Sequence, residues 1–226
     1  MVTFAFSPSW FLGIDAIFEL VTVLVTLLIA FYSHKLYKFT KEKGYRFFSY
    51  AFLLIGISYI INILMNISVY YPVIKVSQVG IFTIITKTFE RVEIFYAAGF
   101  FVLRFLLLLG LVTLLLVLDK KQDMKYGFLL IYLAFVSALF GNYIFHIFHI
   151  TSSLLLLFIF IYYYNNYLKY RSRNSFFVAL SFLLIFISQI VFILLTVHPV
   201  LYVVAESIQL LGYLLLLFTF ISILKK

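Results

Sequence analysis

Phe52-Leu-Leu-Ile-Gly-Ile-Ser-Tyr-Ile-Ile-Asn-Ile-Leu64 returns 130 places later as Phe182-Leu-Leu-Ile-Phe-Ile-Ser-Gln-Ile-Val-Phe-Ile-Leu194, with nine of thirteen positions identical. Both stretches are too apolar for the surface of a soluble domain and long enough to belong to helices that cross a bilayer. The same offset also brings Ile29 onto Ile159, Tyr32 onto Tyr162, Tyr37 onto Tyr167, and one basic loop onto another. Apolar helices resemble one another by chance, so the agreement of loops and tyrosines carries more weight than the identities.

The rest of the chain fits a membrane setting. Of 226 residues, 65% are hydrophobic and 11% charged, and the mean hydropathy is +1.17. Apolar runs between polar breaks predict seven helices, at Phe11–His34, Arg46–Ile67, Ile94–Leu118, Tyr126–Gly141, Tyr143–Tyr164, Ser175–Val197 and Leu201–Leu224. The first lacks a basic start and a small-residue cleavage site, so it reads as a retained span and not a secretory signal. Basic residues gather on one side: Lys35, Lys38, Lys41, Lys43 and Arg46, then Lys120, Lys121 and Lys125, then Lys169, Arg171 and Arg173, with Lys225 and Lys226 at the end. Only Lys75, Lys87 and Arg91 face them, so the positive-inside rule puts the N-terminus outside and the C-terminus in the cytoplasm of a cell-membrane, multi-pass protein. The net charge of +9 is thereby a topology signal, and no nucleic-acid partner is expected. Without cysteine, disulfides and thiolate chemistry are excluded. The long connection Val69–Glu93 has apolar residues at helical spacing, which suggests an amphipathic segment along the interface.

These readings give one all-α membrane domain over residues 1–226. Two parallel three-helix repeats, about 11–118 and 143–226, are joined by a linker helix at about 126–141. The layout resembles that of SWEET-type sugar transporters and of microbial rhodopsins. The Pro-Gln dipeptide of the first group and the retinal-bearing lysine of the second are absent. The last two helices, with Phe182-Leu-Leu-Ile-Phe-Ile-Ser-Gln and Ala205-Glu-Ser-Ile-Gln-Leu-Leu-Gly-Tyr, resemble the ends of small archaeal seven-helix proteins. Histidine is common in that group where Gln189 and Glu206 stand here.

Ionisable groups inside a bilayer are costly and mark function or helix pairing. Counting from the outer helix ends places Glu19, Arg104, Gln189, Glu206 and Gln209 about 9–16 Å deep, with His149 near the same level. Asp15, Glu19, Thr22 and Thr26 share one stripe of the first helix; His146, His149 and Ser153 share one of the fifth. The repeat relates Glu19 to His149 and Tyr59 to Gln189. Aligning the third and seventh helices at Lys120 and Lys225 relates Arg104 to Gln209. An outward polar cavity is expected, with Asp15, Glu19, Tyr59, Arg104, His149, Gln189, Glu206 and Gln209 as ligand-binding residues. Arg104 is expected to pair with Glu19 or Glu206. His146, His149, Glu19 and Glu206 form a candidate N,O metal set for a divalent ion.

The functional expectation is an integral membrane protein binding a small ligand or cation, acting as a sensor or accessory subunit beside a membrane partner or in a homo-oligomer. A small-solute or ion transporter is the first alternative, and a metal-dependent membrane enzyme the second. A helix-joining polar network with no ligand is the bland reading. The enzyme question stays open, since no nucleophile, phosphate-loop or HExxH motif occurs.

Overall fold

The computed structural model describes residues 8, 10–11, 13–70, 75–79, 82–86, 89–118, 124–141 and 143–224, with the side chains of 67–96, 124 and 224 outside the description. Among the described residues seven α-helices follow one another: α1 Ile14–Thr40, α2 Lys43–Tyr70, α3 Phe89–Leu118, α4 Met124–Phe140, α5 Phe145–Tyr170, α6 Arg173–Ile193 and α7 Val200–Leu224. Six are long and apolar enough to cross a membrane; α4, at 17 residues, is shorter. Hydropathy places the ends of α1 and α5 near His34 and Tyr164, yet both helices continue a further turn or more, to Thr40 and Tyr170. Apart from Leu36 and Leu168, the added residues are polar or aromatic. They extend the backbone ladder past the apolar zone, where water can solvate their side chains.

Both α1–α2 and α5–α6 are joined by a turn of two residues. Lys41 (φ 60°) and Arg171 (φ 50°) adopt the left-handed conformation, and their N–H groups close on the carbonyls of Tyr37 and Tyr167 at 2.8 and 2.7 Å. A non-glycine residue in that region costs about 1–2 kcal/mol, so each turn is held by the packing of the helices it joins. We call the end of the bundle carrying these turns the basic end.

α1 packs on α2 and α7, α2 on α3, α5 on α6 and α3, and α6 on α7, while α4 lies outside against α3 and α5. The core contains Ile29, Phe52, Ile55, Leu108, Ile159, Phe182, Ile185 and Leu216, all essentially sealed. Two glycines permit close helix contact. A Cβ on Gly110 would lie 2.7 Å from Ile55 Cγ1 and 2.9 Å from the Ala51 carbonyl; one on Gly212 would lie 2.6 Å from Ile185 Cγ1 and 3.1 Å from the Ser181 carbonyl. Apolar side chains such as Phe31, Phe128, Tyr132 and Phe218 line the outside, as a lipid-facing surface requires.

The expected amphipathic helix within Val69–Glu93 is corrected. Lys75–Val79 and Phe82–Thr86 pair as antiparallel strands, Lys75 opposite Thr86 and Val79 opposite Phe82. They are rich in valine, isoleucine and threonine, whose branched Cβ favours strand geometry over the helical spacing that the apolar residues also satisfy.

Candidate functional site

The polar side chains lie near the end of the bundle opposite the basic end, and they fall into two groups. Glu19 of α1 centres the first. It is fully buried. Asn62 and Asn66 of α2, one helical turn apart, both donate to its Oε1, at 2.7 and 2.8 Å. Its Oε2 is buried without a hydrogen-bond partner. Glu206 of α7 and Asp15 of α1 are near enough to repel Glu19, and the Tyr202 phenol is within hydrogen-bonding reach of Glu206. Asp15 also caps its own helix, Oδ1 accepting from the N–H groups of Gly13 and Ala16 at 2.8 Å. Below this group Gln209 donates to the Tyr59 phenol oxygen, and the Tyr213 ring stands edge-on to Tyr59 with centroids 6.1 Å apart.

Magnitudes show what this arrangement lacks. An interhelical hydrogen bond in a membrane contributes about 0.6–2 kcal/mol. An acidic group at mid-bilayer costs about 2.5–3.5 kcal/mol to insert. Two amide donors therefore offset at most about the cost of one charge, and they do so at only one of the two Glu19 oxygens. Among the described residues no cationic side chain pairs with Glu19 or Glu206.

The second group lies between α3, α5 and α6. His149 is almost sealed, and its Nδ1 meets Gln189 Oε1 at 2.8 Å. Phe145, Phe148 and Phe192 surround its ring, at centroid distances of 4.3, 4.9 and 5.0 Å. Arg104 and His146 are its charged or chargeable neighbours. The Arg104 guanidinium lies 5.7 Å from the Phe100 centroid and 5.8 Å from that of Phe148. His146 Nδ1 is buried and unpartnered. Phe192 joins the two groups, stacking on His149 and meeting Tyr202 at 5.9 Å.

The expected single cavity is thus corrected to two adjacent clusters. Asp15, Glu19, Tyr59, Glu206 and Gln209 gather along α1, α2 and α7, whereas Arg104, His149 and Gln189 gather along α3, α5 and α6. The expected Arg104 ion pair with Glu19 or Glu206 is also corrected. Arg104 sits with His149 and two phenylalanines, because α3 packs on α5 and α1 on α7. The metal set His146, His149, Glu19 and Glu206 is divided between the clusters, and no three such ligands converge among the described residues.

Asn62, Asn66 and Tyr202 were not anticipated. With Tyr59, the two asparagines follow i, i+3, i+7 spacing on one stripe of α2, a signal the sequence does carry. Comparisons with family models, curated proteins and solved structures give no match for this chain.

Proposed function

We propose that this protein is a multi-pass membrane protein, N-terminus outside, that binds a small cation at Glu19 and acts as a sensor or accessory subunit. The observation that carries the reading is the sealed Glu19 carboxylate, with one oxygen fixed by two amides and the other unpartnered, and with Glu206 within electrostatic reach of the group. A built acceptor of that kind fits a monovalent or ammonium-type cation. The absence of three converging ligands among the described residues argues against a divalent metal there.

We further propose that α1–α3 and α5–α7 are repeats. In support, the left-handed caps Lys41 and Arg171, the helix starts Lys43 and Arg173, and the bonds of Ser58 and Ser188 to the carbonyls of Ile55 and Ile185 all share the 130-residue offset. Gly110 and Gly212 touch residues related by the same offset, Ala51 with Ser181 and Ile55 with Ile185. That register relates Arg104 to Glu206 and replaces the alignment at Lys120 and Lys225. Each cluster then combines the first two helices of one half with the third helix of the other.

Unfolding of the purified protein, titrated with sodium, potassium and methylammonium chlorides at constant ionic strength, tests the cation reading. One cation should raise the midpoint saturably, and Glu19→Gln should abolish the effect. Equal response to all three, or an effect that survives Glu19→Gln, overturns it. The repeat favours one second reading, a transporter; flux of the bound cation into proteoliposomes separates it from a sensor.

A further inference from the structure

The geometry points to a binding site for the headgroup of an anionic phospholipid at the basic end, anchored by Lys41 and Arg171. Among the described residues these are the two non-glycine positions with left-handed backbone, at φ 60° and 50°, in the place where glycine ends a helix without strain. Each half of the chain therefore keeps a long cation where a side chain fits least well. Orientation in the membrane does not account for that placement. The positive-inside rule counts cations and would be met equally by one at the next residue, Glu42 or Ser172, where φ is not positive. Two residues beyond each cap, Lys43 and Arg173 start the next helices, so each turn presents cation, spacer, cation. All four are exposed. Among the described residues none of their side chains makes an ion pair or hydrogen bond within the protein; Arg171 and Arg173 meet the rings of Tyr167 and Phe177, at 5.9 and 5.4 Å.

The surroundings decide between a lipid and a soluble anion. Tyr45 of α2 and Tyr163 of α5 lie within electrostatic reach of each other, which sets both turns at the same end of the bundle. Lys35, Lys38 and Lys169 are also exposed there, and Glu42 is the one acid among the described residues of that end, so its field is positive. Phe39 and Tyr170, 72% and 66% exposed, stand within two residues of the anchors. Exposed rings beside cations suit the headgroup layer, where aromatic side chains settle between acyl chains and water. A soluble anion would make no use of them. The proposed topology turns this end toward the cytoplasmic leaflet, where anionic lipid is concentrated.

Thermal unfolding of the full chain in a neutral detergent, titrated with phosphatidylglycerol, with phosphatidylcholine of the same acyl chains, or with inorganic phosphate, tests the inference. Phosphatidylglycerol should raise the midpoint saturably, and the other two should not. Lys41→Gly with Arg171→Gly relieves the backbone, so without lipid this variant should unfold no earlier than the parent, yet it should need about tenfold more phosphatidylglycerol for the same response. Lys41→Arg with Arg171→Lys keeps both cations and should keep the response. Lys35→Gln with Lys38→Gln removes as many cations away from the turns and should weaken the response less than about threefold. No saturable phosphatidylglycerol effect, or one matched by phosphatidylcholine or by phosphate, overturns the proposal. So does a response unchanged in the glycine pair, or one that the Lys35 and Lys38 pair weakens as much, since that would be a diffuse field without anchors.

Discussion

At the scale of single residues, the informative feature is an imbalance at one carboxylate. Asn62 and Asn66 spend both amides on the same Glu19 oxygen, so they fix the group in place and leave its other oxygen for something else. Asn62→Leu with Asn66→Leu should therefore destabilise the fold by about 1–3 kcal/mol, the usual cost of stranding a buried polar group. Adding Glu19→Leu should return most of that loss, because nothing polar is then left unsatisfied. Thermal unfolding of the two variants compares them directly, and a double variant as stable as the parent would mean that the amides do not hold Glu19. Most members of the two clusters were legible as polar residues at one depth. Their partners were not. Depth along a helix says nothing about which neighbour it faces, so Arg104 was matched by charge to the acids, whereas helix packing sets it beside His149.

At the scale of helices, the two glycines measure how alike the halves are. The added methyl of Gly110→Ala or Gly212→Ala would press on a side-chain carbon and on a backbone carbonyl that cannot swing away. Each should lower stability by about 1–3 kcal/mol, the range for overpacking, and by similar amounts if the halves are equivalent. Gly127→Ala is the control: its Cβ would meet only Leu116, at 3.5 Å. It should be neutral or stabilising by up to about 1 kcal/mol through helix propensity. Unfolding midpoints that move equally for Gly127 and Gly110 would remove the close-packing argument. The spans themselves were readable because hydrocarbon imposes a run length that few other environments demand. Their basic ends were not, since hydropathy registers where lipid stops and not where the helix does. The strands 75–79 and 82–86 are hard to read in the sequence, because apolar spacing there suits a helix while residue type suits a strand.

At the scale of the whole molecule, the sidedness of the bundle depends on its least typical helix. Among the described residues six helices are long and apolar enough to cross. If only those six crossed, the two basic turns would lie on opposite faces, against the positive-inside rule. Crossing by α4 puts both turns on one face. Its 17 residues span about 25 Å at 1.5 Å each, near the lower limit for a core about 30 Å thick. We propose that α4 crosses, because the favourable placement of eleven basic residues flanking α1–α2, α3–α4 and α5–α6 would offset the modest cost of local thinning, a fraction of a kcal/mol per Å. Because the chain has no cysteine, single thiols report the outcome without background. Glu42→Cys and Ser172→Cys stand in the two basic turns, and Val197→Cys, 76% exposed, stands beyond α6. On intact cells a membrane-impermeant maleimide should label Val197→Cys alone, with the other two reacting only after permeabilisation. Labelling of Glu42→Cys and Val197→Cys from the same face, with Ser172→Cys opposite, would show that α4 does not cross. Labelling of both basic turns from outside would invert the protein and turn the Glu19 site toward the cytoplasm.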